Sequence, residues 1–144
     1  MHVSDNSRNL AVLYYNARSL IPKLDDLHAI SEAHNPDVIC VVETWLGEEI
    51  SSAEVSIPDY QLLRLDRNRH GGGVLMYVRN NLVTNVLLCG PHNLELLIIS
   101  VSNSVSTFCI GTFYRPPSLP YINMDYFYTS LASIDLSRFS NLYC

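Results

Sequence analysis

The sequence predicts an α/β domain in which a mixed sheet is flanked by helices. Three observations carry that expectation. Val38-Ile39-Cys40-Val41-Val42 is an apolar run too short for a helix and too uniform for a half-exposed strand, so it reads as a central strand buried on both faces. A strand candidate and an amphipathic helix precede it, an order that makes a crossover unit with two parallel, adjacent strands. Strand-like runs joined by short polar turns follow it, which is the pattern of antiparallel pairing.

Residues 1–8 are polar and expected to be a disordered amino terminus, leaving 9–144 as the domain. Leu10 to Asn16 is a strand candidate that ends in a polar amide. Leu20, Leu24, Leu27 and Ser31 then fall on one helical stripe with Ile30 beside it. Pro22 suits the first turn of that helix, Asp25 and Asp26 suit its positive end, and Asn35-Pro36 closes it. Glu43 arrives where the buried strand leaves the core, the place where α/β sheets open a crevice. Parallel pairing brings Asn16 to the same edge.

Residues 46–59 have little apolar periodicity and read as a surface excursion with a short helix around Glu48 to Ile50. Tyr60 to Leu65 and Gly73 to Val78 are strand-like, joined by the polar connection Asp66 to Gly72. Gly71-Gly72-Gly73 is followed by neither Gly-Lys-Ser/Thr nor a helix, which makes it a flexible turn with a bulge rather than a phosphate loop. Leu82 to Cys89, Leu94 to Val101 and Val105 to Tyr114 extend one antiparallel run, which Arg115-Pro116-Pro117 stops. Met124, Phe127, Tyr128, Leu131 and Ile134 mark a helix face within Ile122 to Leu136, and Asn141 to Cys144 opens a further strand.

With 144 residues, 48% of them hydrophobic and 16% charged, the composition is that of one globular domain. A formal net charge of -5 argues against a broad basic face for nucleic acid. Arg64, Arg67, Arg69 and Arg79 fit either a local basic patch or an ordinary solvated loop and strand edge. No signal peptide or bilayer-spanning run is present, and Cys40, Cys89, Cys109 and Cys144 lack metal-ligand spacing. An intracellular protein of nucleus or cytoplasm with reduced thiols, not bound to membrane, is expected.

Four segments match one pattern in order: Tyr15-Asn16-Ala17-Arg18-Ser19-Leu20, Pro36 to Trp45 with Glu43-Thr44-Trp45-Leu46, Asp66-Arg67 before Gly71-Gly72-Gly73-Val74, and Tyr114-Arg115-Pro116-Pro117. Together they resemble the endonuclease/exonuclease/phosphatase superfamily, and within it the apurinic-endonuclease-like domain of non-LTR (LINE-type) retrotransposons. The resemblance implies a four-layer α/β sandwich, of which this chain is the amino-terminal half, and Mg²⁺-dependent cleavage of a DNA phosphodiester. It implies further that Asn16 belongs to the active-site hydrogen-bond network, Glu43 ligates the metal and Tyr114 orients the scissile phosphate. Arg115 is a candidate phosphate contact.

Each residue has a plainer use: Asn16 as a cap, Glu43 as a solvated carboxylate, Tyr114 as packing and Arg115 as the partner of a surface acid. His70 reads as a solvated loop residue. The family pattern continues into Gly-Asp-x-Asn and Ser-Asp-His, which supply the water-positioning groups and which these 144 residues do not contain. A truncated, inactive endonuclease segment is therefore expected; the alternatives are a non-catalytic retrotransposon-derived remnant or an interaction module. The missing segments are also expected to supply the second sheet, leaving an uncovered apolar face open to self-association.

Overall fold

Val12–Asn16 (β1) and Val38–Val42 (β2) pair in parallel, with Val12 opposite Val38 and Asn16 opposite Val42. The structure, a computed structural model, describes residues 9–118, 122–139 and 141–143. The expected disordered amino terminus and Cys144 lie outside them. Between the two strands a 3-10 turn at Ile21–Lys23 leads into Leu24–His34 (α1), which ends where Asn35 turns left-handed and its N–H reaches the Ser31 carbonyl at 2.8 Å. Leu27 and Ser31 are its buried residues, as the stripe requires.

Tyr60–Leu65 (β3) and Val74–Arg79 (β4) complete a sheet in the order β1-β2-β4-β3. Val83–Cys89 (β5), Glu95–Ser102 (β6), Thr107–Tyr114 (β7) and Asn141–Tyr143 (β8) form a second sheet, with β8 parallel to β7. The expected single antiparallel run is thus divided: the turn at Asn80-Asn81 carries the chain from one sheet to the other. Strand length and turn chemistry are identical in either arrangement, so the sequence did not distinguish them.

The two sheets pack face to face. Val38, Cys40 and Val42 from β2 and Val74, Met76 and Val78 from β4 meet Leu97, Ile99 and Val101 from β6 and Phe108 and Ile110 from β7. The alternate residues turn outward: Ile39, Val41, Leu75 and Tyr77 pack with Leu20 and Leu27. On the far side Leu96, Ile98 and Cys109 pack with Phe127 and Leu131 of Ile122–Ala132 (α2). The result is helix, sheet, sheet, helix, and both sheets are apolar on both faces. Each fully buried aliphatic side chain contributes about 1.5–3 kcal/mol through area removed from water.

The second sheet was expected from segments beyond these residues, and that expectation is corrected, because β5 to β8 supply it and cover the inner face of the first. What stays open is the edge of that interface, where Val12 and Tyr14 on β1 are 37% and 63% exposed. The short helix expected at Glu48 to Ile50 is a turn; the helical segment lies at Ser52–Val55. There Ser51 accepts the Glu54 N–H and Glu54 accepts the Ser51 N–H at 2.7 Å, a capping box that fixes the start.

The four arginines are dispersed. Arg64 pairs with Asp66 at 2.6 Å and donates to the Ile50 carbonyl, pinning the 46–59 excursion. Arg79 lies 4.5 Å over the Tyr60 ring at the opposite end of β3 and donates to the Pro36 carbonyl. Neither contributes to a shared basic surface.

Candidate active site

β1 and β2 end side by side, and their last polar groups meet there. The Asn16 side-chain amide donates from Nδ2 to Glu43 Oε1 at 3.3 Å. Glu43 and Trp45 both have φ of 54°, the left-handed region that residues with a Cβ disfavour at a cost of about 1–3 kcal/mol each. Neighbouring backbone bonds hold them there. Ser19 N–H donates to the Glu43 carbonyl at 2.9 Å, and Trp45 N–H to the Gly72 carbonyl at 3.0 Å. The irregular backbone aims Glu43 out of the strand line while leaving it half-buried.

The second sheet supplies the other side. Its inward-facing residues alternate as Glu95, Leu97, Ile99 and Val101 on β6 and Phe108, Ile110, Thr112 and Tyr114 on β7, so period-two geometry places Glu95 and Tyr114 opposite each other at one end. Burial pushes the Tyr114 phenol above its ordinary value, and the Glu43 charge and a side-chain hydrogen bond to Glu43 push it further; Arg67 opposes and Glu95 adds. The phenol therefore stays protonated at neutral pH and remains a donor. Asn16, Glu43 and Tyr114 come together. Arg115 is exposed at the exit of β7, and His70 is exposed in its loop, its backbone N–H on Asn68 Oδ1.

Glu95 was not singled out from sequence. Its signal was a lone carboxylate continuing an apolar alternation into the core face. Its Oε1 accepts the Gly73 N–H at 2.5 Å and its Oε2 faces Arg67 at 3.5 Å, while Arg67 Nε donates to the Gly71 carbonyl at 3.0 Å. A Cβ on Gly72 would overlap both Glu95 Oε1 and Arg67 Nε, and one on Gly73, where φ is +90°, would overlap Thr44 Oγ1. The triple glycine, with positive φ at Gly72 and Gly73, is thus a place of close approach as well as a turn. Beside it a cleft of about 450 Å³ is lined by Arg67, Asn93, Glu95, Tyr114 and Pro116 among others.

Among the described residues no group of three or more His, Cys, Asp and Glu is placed to hold a metal ion. Mg²⁺ does not need such a cage: it takes one or two carboxylates and keeps waters or phosphate oxygens. A half-buried Glu43 steadied on one oxygen by Asn16 fits that mode of binding. The second nearby carboxylate, Glu95, is already engaged by Gly73 and Arg67.

The family model described as Endonuclease/Exonuclease/phosphatase family matches residues 13–136. Among solved structures, the endonuclease domain of TRAS1, a telomere-specific non-LTR retrotransposon, is similar with a TM-score of 0.67 at 10% identity, covering 94% of this chain and 57% of that one. An AP endonuclease from Archaeoglobus fulgidus gives 0.66 at 13% identity, with 94% and 56% covered. The AP endonuclease LMAP from Leishmania major gives 0.64 at 17% identity, with 86% and 47% covered. The chain spans about half the length of these structures. Comparison with curated proteins found no match. Among the described residues no helix is long and apolar enough to cross a membrane.

Proposed function

Since the chain belongs to the endonuclease/exonuclease/phosphatase family, we propose that it is a segment of a Mg²⁺-dependent DNA endonuclease of the retrotransposon type, one that nicks a phosphodiester at its target. The observation that carries this is the meeting of Asn16, Glu43 and Tyr114 at one sheet edge. Glu43 would hold the ion and Asn16 would orient the carboxylate. The bound Mg²⁺ would stabilise charge on the phosphoryl and leaving oxygens. Tyr114, kept protonated, would donate to a phosphate oxygen without adding charge, and Arg115 would contact the phosphate backbone.

These residues make the metal and phosphate side of a site. Gly-Asp-x-Asn and Ser-Asp-His, the water-positioning side by resemblance, are not among the 144 residues. Groups that act as a unit lose most of their effect when some are missing. The 144 residues alone are therefore expected to nick supercoiled plasmid in Mg²⁺ no faster than the Glu43→Ala variant. A fusion to a retrotransposon endonuclease segment carrying both motifs is expected to nick, with dependence on Glu43. Nicking by the fusion that ignores Glu43 contradicts the assignment, and Glu43-dependent nicking by the chain alone contradicts its inactivity.

A second reading, a remnant or interaction module, is supported by the exposed apolar Val12 and Tyr14 on β1. Self-association would use this edge rather than a whole sheet face. Size-exclusion chromatography at low concentration tests it: a monomer counts against it, and a dimer that Tyr14→Ser dissociates supports it.

A further inference from the structure

We propose that Arg67 and Glu95 are positioning residues that fix the backbone of Glu43, acting through the Gly71-Gly72-Gly73 turn. The proposal rests on the metal reading of Glu43 above. The contacts form a chain across the two sheets. Glu95, on β6 with its side chain only 11% exposed, accepts the Gly73 N–H and meets Arg67. Arg67 in turn holds the Gly71 carbonyl at 3.0 Å. The turn so clasped returns two carbonyls to the strand end: Gly72 accepts Trp45 N–H at 3.0 Å and Gly73 accepts Thr44 N–H at 3.4 Å.

Those two amides follow Glu43 directly, and they are what the turn offers to a backbone that leaves the β region at Glu43 and again at Trp45. A left-handed residue with a Cβ persists only when its surroundings over-determine it. The clasp is one such constraint, and it comes from the opposite sheet. Packing supports the same role: a Cβ on Gly72 would overlap the Glu95 and Arg67 side chains, and one on Gly73 would overlap Thr44. A partly buried carboxylate accepting a backbone N–H while facing a guanidinium is a charge-assisted arrangement, and removing it leaves Gly73 N–H without its acceptor. Tyr114 is the cross-strand partner of Glu95, so one sheet end presents both the clasp and the phenol to Glu43.

The test is amide hydrogen exchange in the full 144-residue chain, compared among wild type, Glu95→Ala, Glu95→Gln and Arg67→Met, with Mn²⁺ affinity as a second readout. In Glu95→Ala, exchange at Gly73, Thr44 and Trp45 is expected to rise by roughly tenfold while the Ile39 and Tyr77 amides keep their protection. Glu95→Gln, which still offers an oxygen to Gly73, is expected to restore most of the protection. Arg67→Met is expected to fall between them. Mn²⁺ affinity is expected to drop in step with exchange at Trp45. Unchanged protection at Thr44 and Trp45 in Glu95→Ala overturns the proposal, as does an equal loss of protection at every amide, which marks plain destabilisation. Failure of the metal reading is separate: it shows as Mn²⁺ affinity unaffected by Glu43→Gln in otherwise wild-type protein.

Discussion

Asn16 and Glu43 lie 27 residues apart in sequence and within hydrogen-bonding distance in space, Nδ2 to Oε1 at 3.3 Å. The parallel crossover makes this contact. β1 and β2 start together and end together, with Asn16 opposite Val42, so Glu43 follows one position beyond that pair. An amide donor beside a carboxylate steadies one rotamer while leaving the other oxygen for a cation or water.

Asn16→Ala is therefore expected to weaken Mn²⁺ binding by roughly tenfold, as loss of an orienting partner commonly does. Asn16 is exposed, so the urea midpoint is expected to stay near wild type. Titrating Mn²⁺ and urea on the same sample checks both. A variant that unfolds early but binds Mn²⁺ normally assigns Asn16 to packing instead.

Gly73→Ala is expected to destabilise the chain by about 1–3 kcal/mol, from overpacking and a left-handed φ together. The new methyl would meet the hydroxyl of Thr44, which is fully buried. Gly47→Ala is the control, since its methyl would meet only the far end of the Glu49 side chain. Equilibrium urea unfolding should show a large fall in midpoint for the first and a small change for the second.

The capping box gives a pH-dependent expectation. Backbone and side-chain hydrogen bonds from Ser51 hold the Glu54 carboxyl below its ordinary value of 4.5. A depressed folded-state value means that the contribution is present above the unfolded value and lost as pH falls through the folded one. The stability gap between wild type and Ser51→Ala should be small but measurable at pH 7 and should shrink as the pH falls below 4.5 toward 3. A gap that widens on acidification contradicts the assignment.

Cys40 is buried between the sheets, and burial raises its thiol above the ordinary value. Cys89 is exposed on β5. Iodoacetamide at pH 8, followed by peptide mapping, should label Cys89 in minutes and leave Cys40 unmodified until urea is added. Equal labelling of the two would mean that the sheets are not packed as described.

Much of this was legible in the sequence because the signals were local. The uniform run Val38 to Val42 carried its own burial, and Pro22, Asn35 and Pro36 marked where α1 starts and stops. Asn16 and Glu43 followed from the crossover unit, which fixes strand direction without long-range information. The division into two sheets was not legible, because a hairpin and a sheet-to-sheet corner use the same turn residues at Asn80-Asn81. Glu95 escapes a sequence reading for a related reason: its partners, Gly73 and Arg67, lie in the connection between β3 and β4 of the other sheet. The glycines provide the positive φ that a turn asks for and also room, and room depends on which side chains arrive from elsewhere.

The most direct measurement is Mn²⁺ binding, followed by electron paramagnetic resonance, to the 144-residue chain and to its Glu43→Gln variant, with circular dichroism on both. The expected result is one bound ion per chain in the wild type and a loss of affinity of about tenfold or more in Glu43→Gln, at unchanged thermal unfolding. Equal affinities in two equally folded proteins would contradict the claim that Glu43 anchors a metal ion.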